Sequence, residues 1–304
     1  MTTPAGMAAP WGGTVTRMVT ERENRVYEMA LPSGERAALR LHRVEYQTGQ
    51  AIEDELKWTE ALAQQGFPCP RPVPTLSGDL VVETPDGLVT AVTWVDAEPL
   101  ADRFDAGTPL APELRRLGAL LARLHTLTDA SGLTLNRHAW NRDGLTGPDP
   151  LWGRYWENPA LRDAEAQALV AARDTARDYL SGQAGLDEGL IHADAIAENV
   201  LCTDRDMWLI DFDDSGTGYR LYDLGVALVQ FWQHADFADL VSSIAEGYAG
   251  ERGCDAAPLV ADIPKFTAMR GLSSAGWLIA RAGPEDPRHR RYVDRALGLA
   301  RRYL

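Results

Sequence analysis

The sequence predicts an α+β protein built from two lobes, and three observations support this. At 304 residues, the chain slightly exceeds the length that one hydrophobic core usually serves. Its first part alternates apolar and polar residues as strands do, and the remainder repeats apolar residues at helical spacing. We therefore expect a β-rich N-terminal lobe with one helix over residues 1–95 and a larger, mainly helical C-terminal lobe over residues 96–304.

Composition excludes several classes of protein. The formal net charge of −14 repels a phosphate backbone, so we expect no nucleic-acid partner. The N-terminus shows no basic start followed by an apolar run, so we expect no signal peptide, and we expect no membrane span because no apolar run is long enough. Three widely spaced cysteines indicate reduced, buried thiols in a cytoplasmic protein, namely Cys69, Cys202 and Cys254. The sequence leaves the oligomeric state open.

The first predicted element is a β-hairpin over residues 25–42. Apolar residues alternate on both sides of a Pro-Ser-Gly turn: Tyr27, Met29 and Leu31 before it, and Ala37, Leu39 and Leu41 after it. Because side chains alternate between the faces of a strand, Arg40 points away from the face that carries Leu39 and Leu41.

Residues 51–65 predict a helix with an unusual residue on its buried face. Ile52, Leu56 and Leu62 share one arc with Glu55, whereas Glu53 and Glu60 lie outside it. A carboxylate among core-facing positions needs a cationic partner. Arg40 is the candidate for this partner.

The rest of the chain predicts further elements. Four prolines make 68–75 an extended connector, and strands follow near 79–83 and 88–95. Residues 96–112 cross between the lobes, and Pro112 opens an amphipathic helix that His125 closes. The tryptophan-rich stretch 136–159 either anchors a loop to the body or forms a substrate platform. Helical patterns cover about 160–180, 221–249 and 264–304.

The segment LIHADAIAENVLCTDRDMWLIDFDDSG, residues 190–216, crowds carboxylates between apolar runs. Its pattern is a strand, a loop and a short hairpin, with Asn199 before the first strand of the hairpin and Asp211 after the second. Together with Asp194, these side chains offer the hard oxygen ligands that suit Mg²⁺. A divalent cation also relieves the repulsion between like charges.

His192-Ala193-Asp194, Asn199 and Ile210-Asp211-Phe212-Asp213 resemble the motifs of the aminoglycoside phosphotransferase/choline kinase family. The overall order is most similar to the bacterial stress-response kinase and type II homoserine kinase branches. This resemblance implies a two-lobed protein-kinase-like fold. It further implies an ATP- and Mg²⁺-dependent transferase that moves the γ-phosphoryl group to a hydroxyl of a small-molecule acceptor.

The resemblance also implies roles for individual residues. Asp194 accepts or orients the acceptor hydroxyl proton, Asn199 and Asp211 hold Mg²⁺ with Asp213 as a further ligand, and His192 supports the loop. The cofactor-binding residues are Arg40, Glu55, Trp94 and Val95. Two features depart from the family pattern: Arg40 replaces a lysine and Ala193 replaces a glycine. Residues 20–25, the expected nucleotide loop, contain no Gly-x-Gly-x-x-Gly motif. Asp223 is expected to cap its helix.

Two alternatives stay open at this point. One is a Ser/Thr protein kinase of the stress-response type, and the other is a nucleotide-binding module without turnover. The short gap between Asp211 and Asp223 leaves little room for a peptide platform, and the complete Asp194, Asn199 and Asp211 set disfavours a silent module. Asp213 and Asp214 favour a cationic acceptor.

Overall fold

The computed structural model describes residues 3–21, 24–44, 46–183 and 185–304. Arg22 and Glu23 of the expected nucleotide loop lie outside these described residues. The chain divides into two compact units. The N-terminal unit takes in residues up to Glu98 together with 131–137 and 201–213, and the helical unit takes in the rest. The sequence-based division after residue 95 assigns 131–137 and 201–213 to the C-terminal lobe.

The elements follow one another in this order: α1 (Pro4–Ala8), β1 (Thr14–Glu21), β2 (Arg25–Ala30), β3 (Arg36–Leu41), α2 (Gly49–Gln64), β4 (Val81–Thr84), β5 (Gly87–Thr93), β6 (Glu98–Pro99), α3 (Leu100–Asp105), α4 (Leu110–Ser131), β7 (His138–Trp140), α5 (Arg142–Thr146), α6 (Asp163–Gly182), β8 (Glu188–Ile191), β9 (Val200–Cys202), β10 (Met207–Leu209), β11 (Gly216–Tyr219), α7 (Arg220–Leu228), α8 (Phe237–Arg252), α9 (Ala256–Trp277) and α10 (Arg288–Tyr303).

The N-terminal unit is built on an antiparallel sheet with the strand order β1-β2-β3-β5-β4. The predicted hairpin is β2–β3, in which Tyr27 pairs with Leu39, and Gly34 takes a φ of +88° in its turn. The apolar face of the sheet packs on residues of the chain's start, Met7, Ala8 and Trp11. Because Leu39 and Leu41 face this core, Arg40 lies on the other face of β3.

The helical unit contains a small sheet and a helical core. In the sheet, β11 pairs in parallel with β7 and antiparallel with β8. Helix α9 packs against α7, α8 and α10. Two tryptophans of the stretch 136–159 are buried: Trp140 stacks on Tyr222 with ring centroids 5.3 Å apart, and Trp152 meets Trp140 edge to face. This packing supports the anchoring interpretation for Trp140.

Two long helical patterns are each divided into two helices in the structure. The pattern 264–304 breaks between α9 and α10, where Pro284 and Pro287 cannot continue a helix. The pattern 221–249 breaks between α7 and α8, where Nδ1 of His234 accepts a hydrogen bond from the backbone nitrogen of Asp236. Such local side-chain bonds compete with the helical hydrogen bonds.

Three smaller expectations are also corrected or refined. His125 does not close its helix, because α4 continues to Ser131 and His125 is fully buried within it. None of the three cysteines, all within the described residues, forms a disulfide; Cys69 and Cys202 are buried as expected, but Cys254 is exposed. Among the described residues, no helix is long and apolar enough to cross a membrane.

Candidate active site

Arg40 and Glu55 form the expected ion pair within the N-terminal unit. Arg40 projects from β3, and Glu55 lies on the buried face of α2. Nη1 of Arg40 lies 3.6 Å from Oε1 of Glu55, and both side chains are largely buried. The pair therefore links the sheet to the helix that packs beside it.

Asp211 joins this pair from the segment that follows β10. Its carboxylate forms an ion pair with Nη2 of Arg40, so one guanidinium contacts both Glu55 and Asp211. The backbone of Asp211 takes a φ of +64°, in the left-handed region that Asp and Asn tolerate better than most residues. A residue held in this region often lies at a functional position.

Asp213 lies in the same group but is more deeply buried than Asp211. Nδ2 of Asn24 donates to Oδ2 of Asp213 over 3.2 Å, and Nε2 of Gln47 donates to its backbone oxygen over 2.9 Å. Oδ1 of Asp213 is buried and has no hydrogen-bond partner among the described residues. The sequence analysis placed Asn24 in the expected nucleotide loop but did not predict its contact with Asp213, from which 189 residues separate it.

Arg137 is the second residue of this unit that the sequence analysis missed. Its side chain has no exposed surface, and Nη1 lies 3.4 Å from Oε2 of Glu55 and also donates to the backbone oxygen of Ala51. Nη2 donates to the backbone oxygens of Phe212 and Asp213. Arg137 therefore ties α2 to the Asp211–Asp213 segment. The only sequence signal is an arginine inside the loop 136–159, which by itself does not predict burial.

These charges shift one another's protonation. Burial raises the pKa of Glu55 to about 7, although Arg137 and Arg40 act in the opposite direction. Burial also raises the pKa of Asp213, and the nearby Asp211 adds to this rise. Burial alone would lower the pKa of Arg40, but Asp211, Asp213 and Glu55 raise it above its ordinary value. Arg40 is therefore always charged.

The donor set of this unit fits a divalent cation. Three carboxylates (Glu55, Asp211 and Asp213) face two guanidiniums (Arg40 and Arg137), which leaves one negative charge when all five are ionised. Asp213 Oδ1 is a buried hard oxygen without a partner. The described residues contain no cluster of three or more His, Cys, Asp or Glu placed to hold a metal. Mg²⁺, however, binds through one or two carboxylates and completes its shell with waters and phosphate oxygens.

Trp94 and Val95, the other predicted cofactor-binding residues, directly follow β5 and are both half-buried. The guanidinium carbons of Arg36 and Arg17 lie 5.3 and 5.7 Å from the Trp94 ring centroid. These contacts give Trp94 a structural role, and nucleotide binding at this pair stays a prediction.

In the helical unit, Asp194 lies on a loop that Asp223 anchors from α7. The Asp223 carboxylate accepts hydrogen bonds from the backbone nitrogens of His192 (2.9 Å) and Ala193 (2.6 Å). Ala193 takes a φ of +64°, the conformation for which glycine is the usual residue. Nδ1 of His192 accepts from the Asp194 nitrogen over 3.2 Å, so His192 supports the loop as expected.

Asp223 is not the helix cap that the sequence predicts. The cap position of α7 is Tyr219, and Asp223 lies fully buried in the first turn. Its Oδ2 is 3.0 Å from Nε2 of His125, whose Nδ1 is 2.9 Å from the Tyr248 hydroxyl. Because an ionised carboxylate only accepts, Nε2 of a neutral His125 carries the proton and Tyr248 donates to Nδ1. Burial lowers the pKa of His125, which favours this neutral form.

Two side chains hold the Asp194 carboxylate in place. Nδ2 of Asn199 donates to Oδ2 of Asp194 over 2.8 Å and to its backbone oxygen over 2.9 Å. Arg270 of α9 forms an ion pair with Oδ1 of Asp194 and donates to the Ala193 oxygen over 3.2 Å. The amide nitrogen of Asn199 is the atom that bonds Asp194. The amide oxygen of Asn199, which is the atom that binds cations, is therefore not used in this contact.

Arg270 is a functional candidate that the sequence analysis missed. It is the one charged residue in the run FTAMRGLSSAGW, residues 266–277, and it is buried. A lone arginine in an apolar helix predicts a buried anionic partner, so this signal was available. The sequence could not identify Asp194 as this partner, because 76 residues separate Asp194 from Arg270.

The antiparallel N-terminal sheet with its arginine–glutamate pair, followed by a helical unit with an Asp-Asn loop, defines a protein-kinase-like phosphotransferase fold. The comparisons agree, since residues 14–257 match the phosphotransferase enzyme family (APH). The chain belongs to this family, as the sequence motifs predicted.

Three proteins of known name are similar to this chain. A microcompartment-associated aminopropanol kinase is 26% identical with a TM-score of 0.80, covering 96% of this chain and 92% of its own. Amicoumacin kinase, solved with AMP-PNP and Ca²⁺, has a TM-score of 0.73 at 20% identity over 93% of this chain and 87% of its own. The homoserine kinase of Hyphomonas neptunium is 32% identical over 55% of this chain. The match spans about half of that kinase, 48% of its length.

Proposed function

We propose that the protein transfers the γ-phosphoryl group of ATP to a hydroxyl of a small-molecule acceptor, with Mg²⁺ as the divalent cation. One observation carries this proposal: Asn199 and Arg270 hold the carboxylate of Asp194 on an anchored loop, in a chain of a phosphotransferase family. Relatives named for homoserine and aminopropanol support a small alcohol as the acceptor.

In the proposed reaction, the acceptor oxygen bonds to the γ-phosphorus while the bond to the β,γ-bridging oxygen breaks and ADP leaves. The hydroxyl proton passes to Asp194, whose carboxylate is held in place by Asn199 and Arg270. Because phosphoryl transfer passes through a loose transition state, orienting the hydroxyl is the main task of Asp194.

The metal ligands in this proposal are Asn199 and Asp211, which precede and follow the β9–β10 hairpin, with Asp213 as the further ligand. When bound, Mg²⁺ neutralises charge on the phosphate oxygens. Arg40 binds phosphate oxygens, and Glu55 and Arg137 position it. Trp94 and Val95 contact the nucleotide base.

A protein substrate is less compatible with the chain after Asp211. Residues 216–219 form β11, the central strand of the small sheet in the helical unit, and α7 begins at Arg220. The segment that would present a peptide is therefore built into the fold. A small-molecule acceptor does not need such a peptide-binding segment.

The test compares Asp194→Asn with Asp206→Asn, a matched change in the exposed turn between β9 and β10. We expect Asp194→Asn to lower phosphate transfer by about 10²–10⁴ and to leave ATP·Mg²⁺ binding close to wild type. Asp206→Asn should match wild type in both. Transfer is followed by mass spectrometry of metabolites that gain one phosphate, and binding by calorimetry. Undiminished transfer by Asp194→Asn, or labelling of proteins alone, would contradict the proposal.

A further inference from the structure

Three aromatic side chains form a row within the helical unit. The ring centroids of Trp152 and Trp277 lie 6.2 Å apart, and those of Trp277 and Tyr292 lie 6.4 Å apart. We call these three rings the aromatic row. Trp152 is buried, whereas Trp277 and Tyr292 are half-buried, so the row leads from the interior toward the surface.

Guanidinium groups cover the aromatic row along its length. Their central carbons lie 4.3 to 5.5 Å from the ring centroids, a distance at which a cation is attracted to a ring face. The contacts are Arg270 on Trp152 (4.3 Å), Arg281 on Trp277 (4.6 Å), and Arg295 and Arg291 on Tyr292 (4.7 and 5.5 Å). The row is therefore strongly cationic in a chain whose net charge is −14.

The buried end of the row adjoins the candidate catalytic residue. Arg270, which lies over Trp152, also forms the ion pair with Asp194 and donates to the Ala193 oxygen. Its charge is thus already balanced. An acceptor whose hydroxyl reaches Asp194 would extend its remaining atoms along this row.

Arg295 differs from Arg270 because its charge lacks a close counter-ion. No carboxylate of the described residues lies within ion-pair distance of Arg295, and its Nε is buried without a hydrogen bond. Glu198 acts on it from farther away and already accepts both hydrogen bonds of the Gln230 amide. By contrast, Arg290 on the same helix pairs with Glu165 and Asp294.

Arg295 is thus a poorly solvated cation that lies near a second cation, Arg270. Helices α9 and α10 approach closely, since a Cβ on Gly271 would lie 3.7 Å from the Ala296 Cα. Burial, together with the charges of Arg270 and Arg291, lowers the pKa of Arg295 to about 10, so it stays protonated at neutral pH. A desolvated cation without a partner is unfavourable, and an anion bound there would offset this cost.

We propose that the aromatic row is the acceptor subsite and that Arg295 binds a carboxylate of the acceptor. The inference rests on the proposed function, because it takes Asp194 as the group that receives the hydroxyl. It assigns the acceptor to the hydroxy or amino acids rather than to the amino alcohols. A guanidinium binds a carboxylate through two parallel hydrogen bonds, which makes it selective for this group.

The expectation of a cationic acceptor, drawn from Asp213 and Asp214, is not supported by their surroundings. Asp213 is buried in the N-terminal unit and bonds Asn24. In the helical unit, Asp214 accepts a hydrogen bond from Trp140 at its backbone oxygen, and its charge acts on Arg270. Asp213 is buried and Asp214 is half-buried, so neither carboxylate is fully exposed.

The test uses pairs of alcohols that differ only in a carboxylate: homoserine and 3-aminopropan-1-ol, serine and 2-aminoethanol, and threonine and 1-aminopropan-2-ol. Calorimetry measures binding of each to the protein, and coupled ADP release measures transfer. A charge-assisted hydrogen bond predicts that the amino acid of at least one pair binds about tenfold to a hundredfold more tightly than its partner. Equal or weaker binding of the amino acid in all three pairs would overturn the inference.

Variants on α10 then assign the preference to one side chain. Arg295→Gln should abolish the preference for the carboxylate, and Arg295→Lys should restore part of it. Arg301→Gln, an exposed change on the same helix, should leave the preference intact. A preference that survives Arg295→Gln in a protein that melts like wild type contradicts the proposal.

The two proposals fail in different ways. Carboxylate-selective binding without phosphate transfer to any alcohol would refute the proposed function and keep the acceptor subsite. Transfer with no selectivity for a carboxylate would keep the proposed function and refute the acceptor subsite.

Discussion

The role of Arg137 gives a quantitative prediction, because its surroundings are fully defined within the N-terminal unit. Arg137→Met keeps an unbranched, largely apolar side chain but removes the charge and the hydrogen-bond donors of the guanidinium. Four buried acceptors then lose a partner, namely the backbone oxygens of Ala51, Phe212 and Asp213 and the carboxylate of Glu55. Breaking a buried ion pair from one side costs about 3–5 kcal/mol. Because Glu55 keeps Arg40 at 3.6 Å, we expect the lower end of this range.

Chemical unfolding followed by circular dichroism measures this loss. The matched control is Arg71→Met, since Arg71 pairs with Glu60 of the same helix over 2.8 Å but is 53% exposed. Exposed ion pairs contribute little to stability, so the control should stay near wild type. Mg²⁺-dependent nucleotide affinity should also fall in Arg137→Met, because α2 is no longer tied to the Asp211–Asp213 segment.

The pH dependence of Arg137→Met provides an independent check of the same reasoning. The pKa of Glu55, about 7 in the folded protein, rises further once Arg137 is removed. The folded state then binds a proton that the unfolded state has released, so stability falls as pH rises above the ordinary glutamate value. The fall should extend to higher pH than in wild type. A variant within about 1 kcal/mol of wild type, with unchanged nucleotide affinity, would refute the proposed role of Arg137.

Two further predictions concern single side chains. Asp211→Asn should keep the fold, because Asn also tolerates a φ of +64°. It should weaken ATP·Mg²⁺ binding measured by calorimetry. An affinity equal to that of wild type would show that Asp211 is not a metal ligand. Burial lowers the pKa of both His42 and His125, so the unfolded state binds protons first, and stability should fall as pH drops below about 6.5. In thermal unfolding between pH 7 and 5, His125→Gln should lose less stability than wild type, and parallel losses would contradict the buried neutral imidazole.

The sequence predicted the local elements of the candidate site well. Alternation over residues 25–42 placed Arg40 on the face opposite Leu39, and helical spacing placed Glu55 on the buried face of α2. These patterns repeat within a few residues, so each needs only its neighbours to be read. The motif around Asp194 and Asn199 was likewise readable, because both lie on one short loop.

The side chains that complete the site could not be predicted from local sequence patterns. Arg137 lies 82 residues from Glu55, Arg270 lies 76 residues from Asp194, and Asn24 lies 189 residues from Asp213. No periodicity connects residues so far apart. Asp223 shows the same limit, since its position at a helix start suggested a cap, whereas it bonds the nitrogens of His192 and Ala193.

The sequence by itself determined the class of this protein, the change from a β-rich first part to a mainly helical remainder, and the acidic motif on which its proposed chemistry rests. Only the tertiary structure decided which cation balances each buried carboxylate and left Arg295 without a close partner. The physical reason is that secondary structure follows from short-range spacing of apolar residues, whereas charge pairing follows from which buried faces meet. Contacts between buried faces bring together residues from distant parts of the chain, and they depend on the packing of the whole unit.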